Sequence, residues 1–286
     1  MPWSLRRRIL LTLAPLLLLL AVLGGAALVL LYRVGGRIDA ILRLAERASR
    51  LRPLPEVLSA LLRCQREPLA ERCDETTFAS EMPVHHATVA AFWMSRTETT
   101  VAQYQRCVAA GGRCRAVAFE GGSERFQRPT YPVTQVSFDD ATRYCAWVGG
   151  TLPSEVQFER AARGASRRIF PWGRAFNGKL ANHGRLGVDA TDGTDGFVEL
   201  APVGSFPDGA SPEGLLDLSG NVEEWTSSPF SASHGLPPTA ERAVRGGHFA
   251  VGLPWLRAAA RAAKSPDTRE PTLGFRCVWA VQPLRQ

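Results

Sequence analysis

Beyond Gly164 the sequence supplies almost no material for long regular elements, and this limits the fold more than any other feature. The chain holds 26 glycines and 20 prolines among its 286 residues, and beyond Gly164 these residues interrupt every apolar run before it reaches helical length. A body built that way must be compact and loop-rich. It needs staples, either disulfides or metal ions, because loops alone bury little apolar surface for the backbone they immobilise.

Both kinds of staple are suggested by the residues. Six cysteines occur, Cys64, Cys73, Cys107, Cys114, Cys145 and Cys277, with no CxxC spacing and no Cys/His cluster. An even number without zinc-ligand spacing points to disulfides and to an oxidising compartment. Cys64 with Cys73 and Cys107 with Cys114 are near enough in sequence for local loops, which leaves Cys145 and Cys277; the alternative is six buried free thiols. The second staple is the stretch GLLDLSGNVEEW, Gly214–Trp225. Ser219-Gly220-Asn221 suits a tight backbone reversal. Asp217 and Glu224 flank it, so two carboxylates and turned-in carbonyls can form the oxygen cage that calcium prefers. The plainer reading is a capping aspartate and a solvated glutamate.

Before this body come other kinds of segment. Ile9–Leu31 carries no charged residue, and 23 helical residues span the roughly 30 Å hydrocarbon core. Arg6, Arg7 and Arg8 precede the run and Arg33 follows it. An uncleaved anchor is preferred to a signal peptide, since the apolar run is too long for an h-region and no polar mature start follows Gly25-Ala26-Ala27. Residues 1–8 are then cytoplasmic and 9–31 form a transmembrane helix. Residues 34–62 form an amphipathic juxtamembrane stalk, with Ile38, Ile41, Leu42, Ala45 and Ala48 on one face, and 63–80 a cysteine-bearing linker. The disulfides place the main domain, 81–281, in the periplasm or another extracytoplasmic space.

The net charge of +7 does not indicate nucleic acid. Residues 1–52 contain nine arginines against Asp39 and Glu46, and the rest of the chain is balanced at 25 basic and 25 acidic residues. The basicity belongs to the anchor region. Within the main domain, strands are expected at Ala87–Met94, Val133–Val136 and Ala243–Val244. Helices are expected at Thr100–Ala109, Ser137–Val148 and Ser154–Arg163, each opened by a hydroxyl cap.

Several ordered motifs in this domain resemble the formylglycine-generating enzyme (sulfatase-modifying factor) family. They are EMPVHHATVAAFWMSRTETTVAQY, YPVTQVSFDDATRYCAWVGGTLPSEVQFERAARG, FPWG, GLLDLSGNVEEWTSS, VRGGHF and LGFRCV. The resemblance covers about Glu81 to Val278. It implies an α+β, loop-rich fold related to C-type lectin-like modules, and a disulfide joining Cys145 to Cys277. It also implies two structural calcium sites. One would use Asn182, the carbonyl of His183, Asp195 and the carbonyl of Phe197. The other would use Asp217, the carbonyls of Gly220 and Val222, and Glu224.

The family's activity does not carry over so directly. Its oxidases hold copper(I) between two cysteines just after the RGGS motif, and soft thiolates suit that ion. Here the stretch is RGGHFAVGLPWLRAAAR, with no cysteine from Gly246 to Gly274 and His248 in place of the serine. The iron-dependent sulfoxide synthases of the family take a histidine triad from a separate helical domain, and none of the five histidines (85, 86, 183, 234, 248) falls in the stalk. Copper and iron are therefore not expected. The reading is a membrane-anchored pseudoenzyme, calcium-stabilised, that binds a peptide, protein or glycan through a groove of His248, Phe249, Trp255 and Arg257. The alternative is an oxidoreductase of the formylglycine-generating or siderophore-maturation type, with an altered metal site around His248 and Glu223 or Glu224.

Overall fold

The computed structural model describes residues 79–282, apart from 112–113, 120–121, 167 and 186–189. The expected membrane anchor, stalk and Cys64–Cys73 bridge lie outside the described residues. Among the described residues, no helix is long and apolar enough to cross a membrane.

The domain is a mixed α/β body with three short helices. Helix α1 spans Val101–Ala109, α2 Phe138–Trp147 and α3 Glu155–Arg163. Each starts where its sequence supplies a reciprocal cap: Thr100 with Gln103, Ser137 with Asp140, and Ser154 with Gln157. Two otherwise unpaired donors are satisfied at each start. All three agree with the expected helices to within a residue or two.

Of the expected strands, Ala243–Val244 forms within a longer strand and Ala87–Met94 is cut to its last two residues. Strand β1 is only Trp93–Met94, β2 is Glu223–Pro229, β3 Arg242–Arg245, β4 Arg261–Lys264, β5 Leu273–Gly274 and β6 Val278–Trp279. Strands β4-β3-β2-β5 form one sheet, in which β2–β5 is parallel and the other pairs antiparallel. A separate pair joins β1 to β6, with Trp93 opposite Trp279. The expected strand at Val133–Val136 does not form. Val133 donates to the Thr99 carbonyl and Gln135 to that of Glu270, and Gln135 takes a left-handed φ of 57° that breaks any ladder. Alternation of apolar residues there reflects burial of Val133 and Val136 from a loop.

The main core lies between α1, α2 and the sheet. Tyr104, Tyr144 and Phe275 pack ring to ring within 6.3 Å, with Trp225 and Leu273 in the same cluster. The Trp225 indole is fully buried and donates to the Val136 carbonyl. Two disulfides close this core, Cys107–Cys114 and Cys145–Cys277. The second joins α2 to the segment before β6, as the resemblance implied. Helix α3 is held to the sheet by charge: Arg245 of β3 donates to Glu159 and to the carbonyls of Ala258, Ala259 and Ala260, while Arg261 of β4 pairs with Glu155.

Cys145 and Cys277 are 132 residues apart, and in the chain-entropy description a loop of that size stabilises by about 5 kcal/mol. The double variant Cys145→Ser/Cys277→Ser is expected to lose several kcal/mol in urea unfolding. Non-reducing peptide mapping of the parent should find the two cysteines linked.

Glu223 is a second test of this core. It is 7% exposed, Lys264 stays 3.6 Å away because its ammonium is bonded to Glu270 at 2.6 Å, and burial pushes the carboxyl up to about 7. The unfolded chain ionises near 4.5, so the folded state loses stability as pH rises from that value to about 7, by up to roughly 3 kcal/mol. Glu223→Gln is expected to match the parent melting temperature near pH 4.5 and to exceed it by several degrees at pH 8. A pH-independent difference would remove the ionisation as its cause.

Candidate functional site

The two oxygen clusters expected from the sequence are adjacent, and Asn221 joins them. The Ser219-Gly220-Asn221 reversal forms, with Gly220 at φ 86° and Asn221 at φ 62°. A Cβ on Gly220 would lie 2.1 Å from the Asn182 carbonyl oxygen, so only glycine permits this approach. The Asn221 amide N–H donates to that carbonyl, and its side chain accepts from Asn182 Nδ2 and donates to Glu98 Oε1 at 2.9 Å. One asparagine thus orients residues on both sides of the turn.

The first donor set suits a hard cation. Asn182 Oδ1 is buried and has no hydrogen-bond partner among the described residues. Asp195 is placed by the N–H groups of His183 and Phe197, at 2.6 and 2.8 Å. Burial raises its carboxyl, and those two hydrogen bonds oppose the rise. No described residue donates to the carbonyls of His183 or Phe197. Every donor is therefore an oxygen, one is orphaned, and one is an anion.

The second set differs from the expected cage. Glu224 is completely buried and both its oxygens are held by Arg276, at 2.7 and 2.6 Å. Asp217 accepts from the Gly204 N–H at 2.6 Å. Arg276 also donates to the carbonyls of Ser95, Arg96, Leu216 and Asp217. A guanidinium therefore already supplies positive charge beside these carboxylates. It does not balance them all, because Glu98 is a third buried acid here. Burial pushes the Glu98 carboxyl well up, with Asp217 and Glu224 adding to the shift and Arg276 opposing it. Burial likewise raises Glu224 and Asp217, against Arg276 in the first and the Gly204 N–H and Arg276 in the second. Glu98 was not singled out from the sequence. It sits in the RTETT segment before α1, where nothing in the local pattern marks it as buried.

The four expected groove residues do not line one surface. Phe249 is 5% exposed and packs with Phe126, Leu200 and Val222, so it is core. Trp255 packs on a different cluster, built on Phe170, Val251, Leu253 and Leu256. Arg257 forms a bidentate pair with Glu81 and donates to the Pro254 carbonyl. His248 is half-buried, and its Nδ1 accepts from the Ala250 N–H at 3.2 Å, which places the hydrogen of a neutral ring on Nε2. Phe249 and Trp255 are aromatic for packing, and the sequence pattern alone does not separate that from ligand contact. His85 and His86 are exposed and outside any strand; His85 lies against His234 with ring centroids 4.2 Å apart. Among the described residues no group of three or more His, Cys, Asp or Glu is arranged to hold a metal ion.

An opening lies elsewhere, around the FPWG motif. It is a shallow cavity of about 830 Å³ whose lining includes Trp172, Arg174, Phe176, Lys179 and the ring of His183.

Comparison with known proteins agrees with this architecture. Residues 65–281 match the sulfatase-modifying factor enzyme 1-like domain. A formylglycine-generating enzyme of Bos taurus is 36% identical over 168 residues, covering 52% of this chain and 44% of that protein. An inactive C-alpha-formylglycine-generating enzyme 2 of Bos taurus is 37% identical over 163 residues, 54% of this chain and 52% of the relative. A hercynine oxygenase of Mycolicibacterium thermoresistibile is 32% identical over 250 residues, 71% and 54% of the two chains. Among solved structures, PvdO from Pseudomonas aeruginosa superposes with a TM-score of 0.59 at 26% identity, covering 70% of this chain and 85% of that one. The chain spans about half the length of these curated relatives. The matched domain covers most of the sequence, and its helices, its Cys145–Cys277 bridge and its SGN turn stand where the motifs put them: the chain belongs to the sulfatase-modifying factor family, with formylglycine-generating enzymes among its homologues.

Proposed function

We propose that this domain is a calcium-stabilised binding or regulatory module that does not generate formylglycine, held at a membrane by its N-terminal segment with the domain outside the cytoplasm. The observation that carries the reading is the fate of the thiols. No cysteine occurs between Gly246 and Gly274, and all the described cysteines are in disulfides. A pair of thiolates for copper(I) is therefore not available after the RGG motif. The bridged Cys145–Cys277 and Cys107–Cys114 also support an oxidising compartment. Relatives with and without activity, by their names, bear this domain, so membership leaves both outcomes open to this chain.

Calcium is assigned to Asn182, the His183 carbonyl, Asp195 and the Phe197 carbonyl, on the strength of the orphaned Asn182 Oδ1. At Asp217, Gly220, Val222 and Glu224 the Arg276 guanidinium holds Glu224, so this second set is the weaker claimant. A cation bound only by the native state raises stability. Calcium is expected to raise the melting temperature and chelator to lower it, with Asp195→Ala removing most of the difference. An unchanged melting temperature in chelator would leave neither set with a role in calcium binding.

The competing reading is an oxidoreductase with altered ligands around His248. The purified protein is expected to carry calcium without stoichiometric copper or iron, and to consume no oxygen with cysteine-containing peptides. Copper or iron retained by the parent and lost in His248→Ala would overturn the binding reading in favour of the enzyme.

A further inference from the structure

We infer that the cavity at the FPWG motif is a binding site for a carboxylate-bearing sugar, which gives the binding module proposed above a location and a ligand class. The cavity, of about 830 Å³, has an aromatic wall, a cationic rim and the His183 ring at its inner edge. The Trp172 ring is fixed in place: Phe170 lies flat against it at 5.2 Å, and its Nε1 donates to the Ala175 carbonyl. Phe176 stands edge-on to Phe170 and to the His183 ring, at 5.5 Å from each. Rigid aromatic surface of this kind takes the flat C–H face of a pyranose with little loss of side-chain entropy.

Charge selects among sugars. Arg174 and Lys179 are exposed on the rim, and among the described residues neither has an ion-pair partner and none that lines the cavity is acidic. A guanidinium fork and an ammonium together suit a carboxylate.

His183 adds a polar contact suited to a hydroxyl. Its ring is buried, and Nδ1 lies 2.6 Å from the Gly184 carbonyl, which can only accept, so Nδ1 carries the hydrogen. Nε2 is left without a partner among the described residues. It meets Gly178 at the cavity wall, where an added Cβ would lie 2.6 Å away. A hydroxyl both donates and accepts, so it can pair with that nitrogen whichever way the ring is protonated. Hydroxyls, a flat apolar face and an acid group occur together in a uronic acid.

The test uses the 286-residue chain and tetragalacturonate, followed by tryptophan fluorescence and calorimetry. Fully methyl-esterified tetragalacturonate and tetraglutamate are the comparators. Saturable binding of the uronate is expected, at least tenfold weaker in Arg174→Gln/Lys179→Gln and in Trp172→Phe, and unchanged in Arg143→Gln. The ester should bind at least tenfold more weakly. Absence of uronate binding, or binding untouched by the rim variants, overturns the site. Tetraglutamate binding as tightly overturns the sugar class in favour of an acidic peptide. The oxygen-uptake and metal measurements above are independent. An active oxidase that still binds uronate would sink the module and keep the site, whereas an inactive calcium protein that ignores uronate would do the reverse.

Discussion

The pair between Arg276 and Glu224 is the interaction on which most of this domain depends. Both side chains are completely buried, so each has given up its hydration, and attraction alone seldom repays that loss. Here the remaining guanidinium hydrogens go to the carbonyls of Ser95, Arg96, Leu216 and Asp217. One arginine, next in sequence to Cys277, therefore gathers the chain leaving β1, the segment entering the SGN turn and the start of β2. Because the neighbouring cysteine is bonded to α2, the electrostatic knot and the covalent one are a single residue apart. A fold with so few ladder hydrogen bonds needs its order from such points.

Much of this was readable before any coordinates. The helices announce themselves because a cap is local: Thr100, Ser137 and Ser154 need only a partner three residues on. The SGN reversal was readable for the same reason. Strands were less legible, because pairing is not local: Ala243–Val244 forms, whereas Ala87–Met94 keeps only its last two residues. Val133–Val136 alternates like a strand, yet the backbone meets Thr99 and Glu270 singly, and the left-handed Gln135 ends the matter. Charge was the least legible of all. Glu98 and Arg245 look like ordinary surface residues in sequence, and only the fold reveals that one completes an acid cluster and the other ties α3 to three successive carbonyls.

The same distinction explains why the family was easier to recognise than any activity. The motifs that hold the framework, from the capped helices to GLLDLSGNVEEW and GFRC, contact one another and constrain each other's identity. The stretch from His248 to Arg257 does not share that constraint. Phe249, Trp255 and Arg257 are spent on three different neighbours, in the core beside Phe126, in the Phe170 cluster, and on Glu81. A frame of this kind can keep its shape while the chemistry of that segment changes.

The long disulfide has one more consequence, for damage. Every loop between Cys145 and Cys277, including the turn that exposes Leu236, lies inside a covalent ring closed by those two sulfurs. A protease that cuts the backbone once within the ring opens it without releasing a fragment. The severed ends remain tethered through α2 and the residue next to Arg276, so a nicked molecule in an oxidising space travels as one piece until a reductant reaches it.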